Sequence, residues 1–131
     1  MTPLILIATT SIVFLIGEAI MLPNVMRPLF EKHIGAQMTD SLRLGPAALF
    51  YIIHIAGLTW FATWPGLRDG ANAAALNGAI LGLVAYGCYE LTSWTIMKQW
   101  SPALVVPDMV WGSLISGLSA YVAVRVTLAL T

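Results

Sequence analysis

Three acidic residues, Glu18, Glu90 and Asp108, lie inside long apolar stretches of the sequence. An acid near the centre of a membrane-spanning helix costs about 2.5 to 3.5 kcal/mol, whereas each Leu, Ile, Phe or Val returns only about 0.3 to 0.6 kcal/mol. Acids in such positions are expected to carry a proton, or to face a cation or a hydrogen-bond donor. We interpret the three carboxyl groups as parts of one site within a membrane.

Aromatic and polar side chains of the same stretches could serve this site as hydrogen-bond donors or as ring surfaces for a cation. The candidates are Tyr51, His54, Tyr86, Tyr89, Thr92, Ser93, Trp94 and Trp111. His54 is expected to be neutral and bonded to a neighbouring helix, with a proton carrier or a ligand as the alternative. Trp94, Trp100 and Trp111 also suit an aromatic belt at the membrane surface.

The composition predicts a membrane protein. Of the 131 residues, 59% are hydrophobic and 9% are charged, whereas soluble domains have about 45 to 50% apolar and about 25% charged residues. The lipid bilayer is therefore an expected partner. The formal net charge is zero, so no basic surface indicates nucleic-acid binding. Cys88 is the only cysteine, which excludes an internal disulfide and a cysteine metal cluster, and we interpret it as a small packing residue.

Four apolar segments are long enough to cross a bilayer as helices that rise about 1.5 Å per residue. They cover residues 3–22, 45–64, 73–97 and 103–130. Between the first two, apolar residues at spacings of three and four predict a short amphipathic helix at the membrane interface, over residues 24–34. The sequence thus predicts an all-α membrane protein, a single domain over residues 1–131 with four transmembrane helices in an antiparallel bundle.

Local signals set the expected ends of these segments. Pro23 is expected to stop the first helix, and the run from Pro65 to Gly70 is expected to form a compact turn. Arg27 and Glu31 stand one turn apart in the interfacial helix and can pair. The first apolar run is longer than the core of a signal peptide, has no Lys or Arg before it and precedes no A-x-A pattern. We therefore expect it to be retained as the first transmembrane helix.

Small residues accompany the acids along two of the predicted helices. One stripe of the third helix contains Gly78, Gly82, Tyr86 and Glu90, and one stripe of the fourth contains Asp108, Gly112, Ser116 and Ala120. Small residues allow membrane helices to approach closely. Because residues 99–102 form only a short connection, the two helices are expected to make an antiparallel hairpin in which these stripes pack together.

Basic residues predict the orientation of the chain. Those beside the first and third connections are Arg27, Lys32, Arg43 and Lys98, and those on the opposite side are Arg68 and Arg125. The positive-inside rule then places the long first connection in the cytoplasm and both termini outside. On this topology the three acids lie at similar depth, in the half of the membrane that is closer to the cytoplasm.

Several runs of the sequence together resemble an uncharacterised family of short bacterial inner-membrane proteins, the domain of unknown function 2177. The similarity covers almost the whole chain. Its strongest parts are Ala48 to Leu58 with Pro65, Gly82 to Trp94 with Lys98 and Trp100, and Pro107 to Ser116. The resemblance implies a four-helix fold in the bacterial inner membrane, and it implies no activity. In that membrane, the outside location that the basic residues predict for both termini is the periplasm.

The leading hypothesis for function is a small non-enzymatic membrane protein whose acidic pocket binds or conducts a proton, a cation or a cationic small molecule. Because four crossings form only a small bundle, transport is expected to need a homo-oligomer or a larger membrane complex. One alternative is a structural or assembly subunit of such a complex. Another is an enzyme that modifies lipids or isoprenoids, although the sequence has no G-x-S-x-G, HExxH or CxxC motif. It predicts no metal site and identifies no cofactor.

Overall fold

A computed structural model describes residues 1–38 and 43–131. Its α-helices are α1 (Thr2–Met21), α2 (Arg27–Ile34), α3 (Leu44–Leu58), α4 (Trp64–Asp69), α5 (Ala71–Ile96) and α6 (Pro102–Leu130). A π-helical turn, Leu22–Met26, joins α1 to α2, and a second one, Thr59–Thr63, joins α3 to α4. A 3-10 helix, Gly35–Gln37, follows α2. Positions 39–42 of the predicted long connection lie outside the described residues.

Four continuous helical segments are long and apolar enough to cross a membrane. They are Thr2–Ile34, Leu44–Asp69, Ala71–Ile96 and Pro102–Leu130. The predicted all-α membrane fold with four transmembrane helices is therefore confirmed, and the chain is a multi-pass membrane protein.

The first helix continues past Pro23, so the prediction that it stops there is wrong. Pro23 lies in the π-helical turn, and the flanking residues Met21 and Arg27 keep right-handed helical dihedral angles. In a regular α-helix the proline ring clashes with the carbonyl group four residues earlier, and the extra residue of a π turn relieves that clash. The predicted amphipathic segment is thus α2, a direct continuation of α1.

The turn predicted from Pro65 to Gly70 is also much shorter than expected. Residues up to Asp69 are helical, and a π-helical turn precedes Pro65 as one precedes α2. Gly70 alone ends the segment, with φ 105° and ψ 160°, a conformation that essentially only glycine adopts. The second and third crossings are therefore joined by a single residue.

One face of α2 packs on the protein. The apolar cluster at this end of the molecule contains Leu29, Phe30, Ile34, Trp100, Leu104 and Val105. On the outer side of α2, Arg27 Nε donates a hydrogen bond of 3.2 Å to Glu31 Oε1, as the spacing of the pair predicts. The helix therefore covers the connection between α5 and α6.

The hairpin of α5 and α6 is packed through its glycines. A Cβ atom on Gly78 would lie 2.8 Å from the carbonyl oxygen of Ser116. A Cβ atom on Gly82 would meet the carbonyl oxygen of Gly112 and lie 2.6 Å from Ser116 Oγ, and one on Gly112 would overlap the ring of Tyr86. The two helices run antiparallel because later residues of α5 meet earlier residues of α6.

The four crossings do not pack equally closely along their whole length. At the end near Gly70, small residues allow contact of backbones, and a Cβ atom on Gly66 would lie only 2.6 Å from that of Ala74. Further along the bundle the core contains Phe14 and Tyr86, with Tyr51 packed against it. Outside the π turn that follows it, α3 makes few contacts with the other crossings. The large rings and the sparse contacts of α3 leave a cavity between α3 and the other helices.

The outer surface of the bundle is apolar, as contact with lipid requires. Exposed side chains on it include Ile12, Ile16, Ile52, Ile53, Trp60, Ile80, Val84 and Leu114. Cys88 is also exposed, so its interpretation as a small packing residue is wrong. The apolar residues of the helices thus face the lipid as well as the core.

Candidate functional site

Glu18 belongs to the buried face of α1. The other buried residues of that face are Leu6, Thr10, Phe14 and Gly17. A Cβ atom on Gly17 would lie 2.8 Å from Ile115 Cγ1 and 3.2 Å from Trp111 Cζ2. This glycine lets α1 lie directly against α6, which brings the Glu18 carboxyl group beside the Trp111 indole.

Three donors from three helices converge on the Glu18 carboxylate. Tyr86 Oη of α5 donates a hydrogen bond of 2.7 Å, and Trp111 Nε1 of α6 donates one of 2.9 Å, both to Glu18 Oε1. Tyr51 Oη of α3 donates a longer bond of 3.4 Å to Oε2. Hydrogen bonds to an ionised acceptor contribute about 1.5 to 3 kcal/mol. Glu18 therefore joins all four crossings at one point.

Glu90 and Asp108 form a second acidic group beside the first. Glu90 is 0% exposed and Asp108 is 8% exposed, and their carboxyl groups lie within hydrogen-bonding reach of each other. Asp108 is also close enough to Glu18 for their charges to interact. Glu90 Oε1 accepts a hydrogen bond of 3.2 Å from Trp100 Nε1. The structure thus brings the three predicted carboxyl groups together.

A cavity of about 610 Å³ lies between α3 and the other helices, beside Glu18 and Asp108. Its walls include the carboxyl-bearing residues Glu18 and Asp108 and the aromatic residues Phe30, Phe50, Tyr51, Tyr86 and Tyr89. Among the residues that the structure describes, none that lines this cavity is basic. The cavity therefore combines negative charge with aromatic and apolar surfaces.

The remaining sequence candidates lie at different distances from this cavity. Tyr89 lines it and meets the Trp100 ring edge-on, with ring centroids 5.7 Å apart. His54 lies deeper in the bundle, where its Nε2 atom shares a hydrogen bond of 2.9 Å with Ser116 Oγ. Trp94 is 45% exposed and does not line the cavity. Thr92 and Ser93 likewise lie outside its walls.

Two residues that shape the site, Trp100 and Gly17, were not predicted to do so. Trp100 was interpreted as an aromatic-belt residue, yet it is only 6% exposed and donates to Glu90. Trp111, for which both a belt role and a donor role were considered, donates to Glu18. Gly17 carries no chemistry, but its position directly before an acid on a packed helix is a signal that could have indicated close contact there.

The chemistry available to this arrangement is that of acids and aromatic rings. No group of three or more His, Cys, Asp or Glu side chains in residues 1–38 and 43–131 is placed to hold a metal ion. Carboxylates bind organic cations by charge, and tyrosine, tryptophan and phenylalanine rings attract them through their negative faces. Two adjacent carboxyl groups can also share a proton.

Comparison with known proteins gives the family and no activity. The family described as "Predicted membrane protein (DUF2177)" matches residues 3–125. No curated protein and no solved structure shows significant similarity to the chain. Because the family match covers nearly the whole sequence, the resemblance seen in the sequence is confirmed, and the chain belongs to the DUF2177 family of predicted membrane proteins.

Proposed function

We propose that the protein binds a small organic cation in the cavity between its helices, with Asp108 and Glu18 as the charged residues of the site. The observation that carries this proposal is the lining of the cavity, which combines these two acidic residues with five aromatic ones, Phe30, Phe50, Tyr51, Tyr86 and Tyr89. An acid inside a membrane protein marks a functional site by default, because an unused one is costly.

Electrostatics favours a positively charged ligand. Glu18 is already held by three neutral donors, whereas Asp108 lies next to a further acid, Glu90. Removing a charge from water costs several kcal/mol unless a partner compensates it. A cation beside Asp108 would supply that compensation and would lessen the repulsion between Asp108 and Glu18.

The size and surface of the cavity favour an organic cation over a bare ion. Its volume of about 610 Å³ lies in the range of about 300 to 1,000 Å³ that is usual for small-molecule sites. Aromatic rings within about 6 Å of a cation contribute about 0.5 to 2 kcal/mol each. An ammonium group with apolar substituents would use both the carboxylates and the rings.

Replacing Asp108 with Asn should weaken the binding of such a cation. The probe is benzyltrimethylammonium, which carries a fixed charge and an aromatic ring, and calorimetry on the protein in detergent measures its affinity. We expect Asp108→Asn to reduce affinity by about tenfold or more, which corresponds to about 1.4 kcal/mol, because the variant removes the charge and keeps the shape.

Two controls make this experiment decisive. Glu31→Gln also removes one negative charge, but Glu31 is 58% exposed on the outer side of α2, so its affinity should equal that of the wild type. Neopentylbenzene, the uncharged carbon analogue of the probe, should bind the wild type and Asp108→Asn equally. Equal affinity of the charged probe for wild type and Asp108→Asn, or no binding at all, would overturn the proposed function.

We also propose that the chain lies in the bacterial inner membrane with both termini in the periplasm. The excess of Lys and Arg beside the first and third connections supports this orientation. Arg68, close to Gly70, would then face the periplasm, and Lys32 of α2 would face the cytoplasm.

Labelling of single cysteines tests the orientation. With Cys88→Ser as the background, a membrane-impermeant maleimide on intact cells should label Arg68→Cys and leave Lys32→Cys unlabelled until the cells are lysed. Both side chains are exposed, so both react after lysis. The reverse pattern would show that the chain has the opposite orientation.

A further inference from the structure

The Glu90 carboxyl group is the most buried acid of the site. It is 0% exposed. Its Oε1 atom accepts a hydrogen bond from Trp100 Nε1, which is the only neutral donor to Glu90 among the described residues. Its Oε2 atom is buried and accepts no hydrogen bond from a donor in the part of the chain that the structure describes. Because buried polar atoms are almost always hydrogen-bonded, we expect Oε2 to interact with a group other than a neutral donor.

The Glu90 carboxyl group lies next to another carboxyl group, that of Asp108. Ionised carboxylates are acceptors only, so two of them cannot form a hydrogen bond unless one carries a proton. Two acids in contact lose their protons as a pair and not independently. Since Glu90 is fully buried and Asp108 reaches the cavity wall, the proton is expected on Glu90, which donates it to Asp108.

The groups that surround the pair make full ionisation costly. The ionisable side chains that face it or its cavity are Glu18 from α1, Tyr51 from α3, and Tyr86 and Tyr89 from α5. None of these is a base, and α2 contributes Phe30, which does not titrate. His54 is engaged with Ser116. Losing the shared proton would therefore place three negative charges together, with no positive side chain among residues 1–38 and 43–131 facing them.

We propose that Glu90 and Asp108 hold one proton between them and release it when an organic cation enters the cavity, so that the protein exchanges a proton for its ligand. This inference rests on the proposed function. The O–H bond of Glu90 breaks, both carboxyl groups are left ionised, and the proton leaves to water through the cavity that Asp108 lines. The arriving positive charge replaces the departing one, so the total charge of the site is unchanged.

Thermodynamic linkage gives this exchange a measurable sign. A cation that binds better to the deprotonated pair must bind more tightly as the pH rises. Where release is complete, affinity should increase by up to about tenfold per pH unit. Because benzyltrimethylammonium has no titratable proton, any proton that appears on binding comes from the protein.

Calorimetry in buffers of different ionisation enthalpy counts the released protons. We expect the wild type to release up to one proton per cation bound, and Glu90→Gln to release none. The amide nitrogen that this substitution introduces can still donate a hydrogen bond to Asp108, so the variant should fold and bind the cation. Glu31→Gln, with an exposed carboxylate removed, should release protons as the wild type does.

Infrared difference spectroscopy observes the same proton directly. The wild type should show the carbonyl stretching band of a protonated carboxylic acid, this band should decrease when benzyltrimethylammonium is added, and it should be missing in Glu90→Gln. Cation binding without proton release, or equal release from wild type and Glu90→Gln, would overturn the exchange and leave the proposed function in place. Absence of cation binding in all variants would overturn both.

Discussion

Replacing Gly112 with alanine is expected to lower the free energy of unfolding by about 3 kcal/mol, at the upper end of the usual cost of overpacking. The added methyl group would occupy the position of the Tyr86 ring. That ring cannot simply move away, since Tyr86 is 7% exposed and its hydroxyl group holds Glu18 at 2.7 Å. Either the helices α5 and α6 separate or the hydrogen bond to Glu18 is lost.

The control for this variant is Gly57→Ala, in another membrane-spanning helix. Its Cβ atom would lie 3.5 Å from Leu81 Cδ2, an ordinary contact, and alanine favours the helix over glycine by up to about 1 kcal/mol. We expect Gly57→Ala to be neutral or stabilising. Denaturation in mixed detergent micelles, followed by tryptophan fluorescence, measures both variants. Equal midpoints for the two would mean that the hairpin adjusts to the methyl group at no cost.

A second variant identifies the ring as the cause. Combined with Tyr86→Ala, which removes the ring, Gly112→Ala should cost much less than it does alone, since residues in contact are not additive. If the two costs simply add, the methyl group acts through the backbone of α5 instead.

The sequence could predict the faces of the helices because spacing alone determines them. Gly78, Gly82, Tyr86 and Glu90 are four residues apart, and any α-helix places such residues on one face. All four are buried in the structure. The proximity of the three acids was predicted from their distances to the predicted connections, and the structure brings these acids together. Residue spacing and segment lengths are therefore enough to predict the fold class and the approximate place where the acids meet.

Connections and prolines were harder to predict because their effects depend on packing. The rule that proline ends or kinks a helix applies to regular α-helices. Pro23 and Pro65 are instead accommodated by π-helical turns, which no sequence pattern predicts. Trp100 contacts Glu90 because the chain turns after Met97, and residues of α2 pack against Trp100 there. Such contacts depend on several elements at once, which periodicity in one element cannot describe.

Glu18 raises the question of whether the acid serves the fold or the ligand. Its hydrogen bonds join α1 to α3, α5 and α6, so it would contribute to stability even without a ligand. Its position on the cavity wall makes it part of the proposed cation site as well. Two substitutions at this one position separate the two roles.

Glu18→Ala should lower the free energy of unfolding by about 2 to 5 kcal/mol. It leaves Tyr86 Oη and Trp111 Nε1, which donate at 2.7 and 2.9 Å, without their acceptor. A buried donor that loses its partner costs about 1 to 3 kcal/mol. Denaturation in the same mixed micelles gives the value.

Glu18→Gln should retain this stability to within about 1 kcal/mol, because replacing an acceptor by another acceptor leaves no buried donor unpaired. Tyr86 and Trp111 both donate to the same atom, Oε1, so one amide oxygen can accept both bonds. The amide nitrogen would then face Tyr51, whose hydroxyl oxygen can accept a hydrogen bond. The variant therefore removes the negative charge and keeps the contacts.

The cation affinity of Glu18→Gln then isolates the charge. If Glu18 serves the ligand, this stable variant should bind benzyltrimethylammonium more weakly than the wild type, because the site has lost one of the two carboxylates on the cavity wall. If its affinity equals that of the wild type, Glu18 is a hydrogen-bond acceptor of the fold and Asp108 alone carries the ligand's counter-charge. Should Glu18→Gln instead unfold as readily as Glu18→Ala, the charge itself would be what holds the four crossings together, and the hydrogen-bond account would be wrong.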